Sequence, residues 1–231
     1  MQRNALLLAS SLVMMGARAA HPAAPALSSG VVLARYAHAL AVLRRPRSVS
    51  FQFSVEQLGL RNLEQTHRVY RSGLRERDET LAADGQSLPV PSIRIIENRV
   101  DRYDILAVAP RAAAYGFTLV ARSRRAYVFK TVSRARDAFT ISAVEIDRAT
   151  FLPSLVRFAI AGNGAHGSGE LRYGSADRYW VVRQAQITAH LTNGSRAHER
   201  IAWSGYQFPA SLPPSTFEVP RSAAPAASAS L

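Results

Sequence analysis

The chain has 231 residues, of which 48% are hydrophobic, and its 29 Lys and Arg against 16 Asp and Glu give a formal net charge of +13. It contains no cysteine, which excludes disulfide frameworks, zinc ribbons, iron–sulfur clusters and cysteine nucleophiles. A chain of this length forms one domain, or two small ones.

Residues 1–19 have the organisation of a secretory signal peptide. Arg3 supplies a basic start, residues 5–16 form an apolar run, and residues 17–19 (Ala-Arg-Ala) form a small-x-small cleavage site. The alternative is a membrane anchor, but this run covers only about 18 Å as a helix, whereas a hydrocarbon core is about 30 Å thick. We therefore expect a soluble periplasmic protein. The predicted leader contains two arginines and no carboxylate, so the formal net charge of the mature chain is +11.

Both ends of the mature chain have the composition of flexible segments. Residues 20–27 and 220–231 are rich in Ala, Pro and Ser and poor in large apolar side chains, so burial cannot offset the entropy lost on ordering. We predict a linker over 20–27, one domain over 28–219 and a disordered tail over 220–231. That domain is long enough for a substantial core.

A helix opens the predicted domain. Ser28 or Ser29 suits the N-cap position. The apolar residues that follow recur at helical spacing and form one stripe, namely Val31, Val32, Leu33, Tyr36, Leu40 and Leu43. Arg44 and Arg45 suit the negative end of the helix dipole, and Pro46 is expected to end the helix there.

Beyond Pro46 the apolar period changes to two, as in half-buried antiparallel strands. The clearest run is 48–57, in which Val49, Phe51, Phe53 and Val55 alternate with polar residues. Similar runs lie at 63–72, 75–81, 93–98, 116–122, 125–132, 138–147, 153–161, 168–174, 178–192 and 196–207. Turn signals join several of them, at 123–124, 147–148, 163–164, 176–177 and 193–194.

These runs predict one large antiparallel sheet of about ten strands, which must curl. The stretch Val108–Tyr115, with Pro110 and four alanines, is predicted as a short second helix across that sheet. A sheet with one polar face must have its other face covered, and the opening helix is the available cover. Where that cover is incomplete, an apolar cavity remains.

Residues capable of catalysis or metal binding form no recognised motif in the sequence. The six histidines lack metal-ligand spacing. The glycine-rich stretch 162–169 lacks the ending of a phosphate loop, and Ser168 lacks the G-x-S-x-G context of a nucleophile. We therefore expect no enzymatic activity, no metal and no cofactor.

Three further features are interpreted structurally. The run Arg75–Glu79 is read as solvated or paired strand charges rather than an acid/base cluster. Asn193-Gly194-Ser195 is read as a tight turn rather than a glycosylation site. Trp180 and Trp203 are expected in the core.

Four segments carry a family resemblance. They are the opening helix with SVSFQFSVEQ (48–57), the Tyr70-Arg71-Ser72-Gly73 turn leading to Arg77-Asp78-Glu79, VEIDRATFLPSLVRF (144–158) and YQFPASLPPSTFEVP (206–220). The turn Asp147-x-x-Thr150-Phe151-Leu152-Pro153 is the most specific of these, with Phe151 where the family pattern has Gly. Together they are similar to the LolA/LolB-like superfamily of periplasmic lipoprotein carriers and, more distantly, to the sensor domain of RseB/MucB regulators.

The resemblance implies a mainly β (α+β) fold, a curved antiparallel half-barrel of about ten to eleven strands covered by an N-terminal helix and a short second helix. It also implies a hydrophobic cavity for acyl chains. The absence of a cysteine for acylation favours a soluble, LolA-like protein over an anchored, LolB-like one. No arginine of this chain can be aligned to the one that holds the lid in the carriers. We predict that the cavity is lined by Phe51, Phe53, Val55, Phe117, Leu119, Tyr127, Phe129, Phe139, Ile141 and Phe158.

The expected partner is an apolar ligand such as acyl chains or a lipoprotein, bound by a monomer, and we expect no nucleic acid. The positive charge leaves open an anionic membrane surface as a further partner. The alternative function is a basic envelope regulator, RseB-like or anionic-surface-binding, without a transported ligand. Its contact surface would consist of arginines on the outer strand faces, namely Arg68, Arg71, Arg75, Arg77, Arg122, Arg124, Arg125, Arg134 and Arg136.

Overall fold

The computed structural model describes residues 27–59, 62–99, 101–162 and 165–218, and the predicted leader, most of the linker and the tail lie outside these ranges. The helices are α1 (Ser29–Ala41), α2 (Ile105–Val108) and a 3-10 helix, Pro214–Phe217. The strands are β1 (Ser48–Leu58), β2 (Leu63–Ser72), β3 (Arg75–Ala83), β4 (Gln86–Ile96), β5 (Tyr115–Arg122), β6 (Ala126–Ser133), β7 (Phe139–Asp147), β8 (Pro153–Gly162), β9 (Ala165–Ala176), β10 (Tyr179–His190) and β11 (Arg196–Gln207). The predicted mainly β fold is confirmed.

All eleven strands form one antiparallel sheet in the order β4-β3-β2-β1-β11-β10-β9-β8-β7-β6-β5. The first and last strands of the chain are neighbours in its middle, with Phe53 opposite Trp203 and Val55 opposite Ile201. The edges are therefore β4 and β5, and the sheet is an open, curved half-barrel. The segment that joins these two edges, residues 97–114, carries α2 and is named the crossing segment below.

α1 and the crossing segment cover one face of the sheet. Val32 of α1 and Phe129 of β6 are fully buried in the same core. Two tyrosines fix the crossing segment in place: the Tyr36 hydroxyl donates to the Pro110 carbonyl at 2.8 Å, and the Tyr173 hydroxyl donates to the Tyr103 carbonyl at 3.1 Å. The crossing segment is thus hydrogen-bonded both to α1 and to the sheet.

α1 begins where predicted and ends earlier. The Ser28 hydroxyl accepts a hydrogen bond from the Val31 amide at 3.4 Å. The helix stops at Ala41, and the remaining residues before β1 are irregular. Pro46 has no amide hydrogen and disfavours helical backbone at Arg45, so the chain leaves the helix before the two arginines.

α2 lies at Ile105–Val108 rather than at 108–115. The Asp104 carboxylate caps it by accepting from the Leu106 amide at 2.8 Å. Pro110 disfavours helical backbone at Ala109, whose ψ of 121° is extended. The proline therefore follows the helix instead of lying within it.

β4 begins at Gln86 rather than at residue 93. Pro89 and Pro91 argue against a central strand, because proline has no amide to donate to a neighbour. An edge strand tolerates proline, since one side of its backbone has no neighbour to bond. The position of β4 at the sheet edge thus explains the longer strand.

No helix within the described ranges is long and apolar enough to cross a lipid bilayer.

Candidate functional site

A cavity of about 650 Å³ lies where the α1–β1 connection meets the crossing segment and one end of the sheet. Its apolar lining is Leu43, Pro46, Val49, Phe51, Leu74, Tyr103, Ile105, Trp180, Val181, Val182, Trp203, Tyr206 and Phe208. Its charged lining is Arg44, Arg45, Arg47, Arg71, Arg99, Asp101 and Asp104. The volume is within the range of about 300 to 1,000 Å³ that is usual for ligand pockets.

Two aromatic side chains of the apolar wall have their polar atoms bonded to backbone carbonyls. The Trp180 indole donates to the Pro153 carbonyl at 2.8 Å, and the Tyr206 hydroxyl donates to the Val182 carbonyl at 2.7 Å. Burial raises the pKa of Tyr206 well above its ordinary range, despite the opposing charges of Arg71 and Arg183. The phenol therefore stays neutral at physiological pH, and the wall is uncharged.

Ring contacts continue this wall between the strands and the crossing segment. Phe51 and Tyr206 lie with centroids 5.2 Å apart, and Tyr103 meets Trp203 edge-on at 5.1 Å. Trp180 and Trp203 are expected in the core from the sequence, and both do pack in or against it. Both also line the cavity, which the sequence interpretation did not include.

Three of the cavity arginines, Arg71, Arg99 and Arg45, form ion pairs with carboxylates. Arg71 donates to Glu76 at 2.5 Å and to Asp101 at 3.1 Å, and Asp101 also accepts from Arg99 at 3.0 Å. The Arg71 guanidinium also lies over the Phe51 ring, 4.7 Å from its centroid. Arg71 thus lies on the inner side of the sheet, which corrects its prediction as an outer-face residue.

Arg45 pairs with Asp104 at 2.7 Å, which ties the α1–β1 connection to the cap of α2. The other two arginines of this connection, Arg44 and Arg47, form no ion pair or hydrogen bond with any described residue. Both are exposed and both line the cavity. The lining therefore has an apolar wall and an arginine-rich rim.

A second polar group lies on the inner face of β2 and β3. His67 Nδ1 meets the Asp78 carboxylate at 2.7 Å, and Arg94 donates to the same carboxylate at 3.0 Å. Burial works to raise the pKa of Asp78, but the hydrogen bonds and positive charges of His67 and Arg94 outweigh it and hold this pKa below its ordinary value. Phe53 stacks on the imidazole with centroids 4.4 Å apart.

This histidine–aspartate pair does not extend to a nucleophile. The second nitrogen of His67 faces the Gln65 side-chain oxygen at 3.3 Å, and no hydroxyl group of a described residue bonds to it. Glu76, Asp78 and Glu79 are buried as well as paired. The sequence interpretation of this run as paired strand charges is therefore right about the pairing, and the burial is what it missed.

The ten residues predicted to line a cavity occupy several environments. Phe51 lines the cavity described above. Four are buried in the core beneath α1, namely Tyr127, Phe129, Ile141 and Phe158. Four are half-buried and pack against that core, namely Phe53, Val55, Phe117 and Leu119. Phe139 is 39% exposed at the start of β7.

α1 fills the part of the half-barrel over β5 to β8. The Tyr36 ring packs edge-on against Phe117 at 6.3 Å, and Phe117 packs against Phe129 at 6.1 Å. The free volume therefore lies at the other side, next to β1, β10 and β11. The lining of this cavity comes from strand ends and connections that are far apart in the sequence, so no single sequence motif predicts it.

Two of the histidines and two of the glycines noted in the sequence have structural roles. The described residues contain no group of three or more His, Cys, Asp or Glu arranged to hold a metal ion. His166 and His190 stack across β9 and β10 with centroids 4.9 Å apart. A Cβ at Gly169 would lie 2.5 Å from the Phe158 ring, so this glycine makes room for a core side chain. Gly194, with φ of 81°, forms the predicted turn, whereas residues 163–164 lie outside the described ranges.

Comparison with family models and with curated proteins gives no match. Comparison with solved structures gives several matches. A LolA superfamily protein from Nitrosomonas europaea superposes with a TM-score of 0.40 and 12% identity, over 84% of this chain and 99% of that one. A proposed outer membrane lipoprotein-sorting protein domain from Vibrio parahaemolyticus gives a TM-score of 0.46 and 14% identity, over 80% of this chain and 95% of that one.

A DUF1329 family protein from Desulfovibrio piger gives a TM-score of 0.43 and 11% identity, over 81% of this chain and 97% of that one. The chain is thus similar in fold to a solved LolA superfamily protein.

Proposed function

We propose that this protein is a periplasmic binding or carrier protein that holds an acyl chain of a lipid or lipoprotein in the cavity beside the α1–β1 connection. The observation that carries the proposal is the aromatic and aliphatic wall of that cavity, in which Trp180 and Tyr206 donate their polar hydrogens to backbone carbonyls. Such a wall offers mainly hydrophobic contact, which suits a flexible hydrocarbon chain.

Two further observations support this proposal. The leader pattern of residues 1–19 supports export to the periplasm. The surroundings of His67 and Asp78 support binding rather than catalysis, because the imidazole meets a glutamine instead of a nucleophile.

Residues covered by α1, such as the half-buried Phe117 and the buried Phe129, belong to the proposed binding surface only if α1 moves away from the sheet. Phe51 needs no such movement, because it already borders the free volume. The proposal therefore assigns the first contact with the ligand to the wall around Phe51, Trp180 and Trp203.

Intrinsic fluorescence tests the proposal directly. The chain has two tryptophans, Trp180 and Trp203, and both line the cavity. A brominated fatty acid quenches a tryptophan only on close contact, so titration should quench most of the fluorescence and saturate at one ligand per protein. Quenching that is no greater than with free bromide would contradict the proposal.

A pair of substitutions supplies the control. Val182→Phe places extra volume in the cavity wall and is expected to weaken probe binding at least tenfold. Val132→Phe adds the same volume at a residue that is 63% exposed on β6, outside the cavity, and should leave binding unchanged. Equal binding by both variants and the wild type would place the probe elsewhere.

A further inference from the structure

We infer that the ligand is an amphiphile with an anionic head group, a carboxylate or a phosphate, which Arg44 and Arg47 hold at the rim while the chain lies against the aromatic wall. This inference rests on the proposed function and adds the chemical class of its ligand. It is carried by the pairing of the charged residues around the cavity.

The cavity is lined by five arginines and two aspartates. The aspartates are used within the rim, since Asp101 pairs with Arg71 and Arg99, and Asp104 pairs with Arg45. Arg71 is also held by Glu76. Arg44 and Arg47 are the arginines of this lining for which the described residues provide no counter-charge, so the positive charge of the rim is concentrated on them.

The placement of these two side chains suits a head group rather than a bare ion. Both come from the short α1–β1 connection, which also supplies Leu43 to the apolar lining. A ligand that contacts both the two arginines and Leu43 needs a charged group at one end and an apolar chain at the other. Guanidinium groups bind carboxylate and phosphate through paired N–H donors, and a cleft with one sign of charge concentrates ligands of the other sign.

The experiment uses a series of ligands that share a dodecyl chain and differ in the head. Calorimetric titration of the wild type is expected to give at least tenfold tighter binding for dodecanoate and dodecyl phosphate than for 1-dodecanol, and weakest binding for dodecyltrimethylammonium. The two anions separate a fatty-acid source from a phospholipid source. The advantage of the anions should shrink as salt is raised, since exposed charges are screened, whereas 1-dodecanol should be unaffected.

Two double variants complete the test. Arg44→Gln/Arg47→Gln should weaken binding of the anions at least tenfold and change binding of 1-dodecanol less than twofold. Arg124→Gln/Arg125→Gln removes the same charge from the exposed β5–β6 turn and should change neither. Thermal unfolding should be the same for both variants, because neither pair of side chains is engaged by a described carboxylate.

Three results would overturn the inference, and they are distinguishable. Equal affinity of the wild type for dodecanoate and 1-dodecanol would leave the proposed function standing and reject the head-group contact. Tight binding of inorganic phosphate alone would indicate a simple anion site. Failure of every dodecyl compound to bind would reject the proposed function together with this inference.

Discussion

The contact between His67 and Asp78 is the residue-scale feature with the clearest energetic consequence. Both side chains are nearly buried, at 10% and 7% exposure, and Arg94 closes the group from the β4 side. Breaking such a group from one side leaves the other charges without compensation in a poorly solvated place. It lies directly under Phe53, at the boundary between the apolar and the polar part of the inner face.

Replacing Asp78 by Asn should therefore lower the free energy of unfolding by about 1.5 to 3 kcal/mol at neutral pH, the usual value of hydrogen bonds to a charged group. The pKa of Asp78 is lowered in the folded state, so its contribution is complete above the ordinary aspartate pKa of about 3.9 and is lost as the pH falls through the lower folded value. Urea unfolding of both proteins between pH 7 and pH 2.5 measures this. The gap should close as the pH falls below the ordinary aspartate pKa of about 3.9; a gap as large at pH 2.5 as at pH 7 would contradict the prediction.

Phe151 is the residue that departs from the family turn pattern, and the structure explains how the turn accepts it. Its φ is 55°, in the left-handed region that favours glycine. The Asp147 carboxylate holds the turn by accepting from the Thr150 amide at 2.8 Å and hydroxyl at 2.9 Å. The phenylalanine ring stacks on Tyr127 and lies under the Arg35 guanidinium of α1. Contacts of the ring thus compensate for backbone strain.

Two truncations of Phe151 should therefore give different results. Phe151→Ala loses the ring and keeps the strain, whereas Phe151→Gly loses the ring and removes the strain. The glycine variant should therefore be more stable than the alanine variant by about 1 kcal/mol, although glycine normally costs entropy. Ala149→Gly in the same turn, where φ is not positive, should show the ordinary loss instead. Chemical unfolding of the three variants measures the order.

At the scale of elements, periodicity predicts the strands well and the connections poorly. β1, β2 and β11 lie within one or two residues of their predicted runs, because alternation records which face of a sheet is covered. The ends of α1 and α2 differ because they depend on where the chain must turn towards β1 or across the open side. β4 differs because the effect of a proline depends on whether its strand lies at an edge.

The same distinction explains the candidate site. The predicted lining residues are strand residues with strong alternation, and nine of the ten belong to the core or pack against it. The observed cavity takes much of its lining from the α1–β1 connection and the crossing segment, where no period exists. Its location follows from which part of the sheet the helices leave uncovered, and that depends on packing between elements rather than on any local pattern.

The hydrogen bond from Tyr36 to Pro110 is the direct link between α1 and the crossing segment, and its loss measures how firmly these elements are joined. Tyr36→Phe keeps the ring against Phe117 and removes the bond, so the free energy of unfolding should fall by about 0.5 to 1.5 kcal/mol. Tyr70→Phe is the matched control, because the half-buried Tyr70 hydroxyl bonds to no described residue. Equal losses for the two variants would show that the bond to Pro110 contributes nothing specific.

At the scale of the whole molecule, charge and cavity favour different functions. The formal net charge of +13, or +11 without the predicted leader, attracts the chain to any anionic surface. Part of this charge is internal, since Arg77 is largely buried and donates to the Thr216 and Glu218 carbonyls of the C-terminal segment at 3.1 Å. Fewer arginines than predicted are therefore available on the outer faces for the alternative role of a surface-binding regulator.

Sedimentation with vesicles separates these functions in one experiment. A carrier takes a labelled fatty acid out of anionic vesicles, so the label should appear with the protein in the supernatant. A surface-binding protein should instead move into the pellet and leave the label there.

At about 0.15 M salt the Debye length is about 8 Å, so attraction to the surface is already weakened, whereas binding of an enclosed acyl chain is not. We expect the label in the supernatant at this salt concentration and at 0.5 M, and its loss from the supernatant with the Val182→Phe variant. Protein that pellets at low salt, returns to solution at high salt and never carries label would assign the chain to the alternative function.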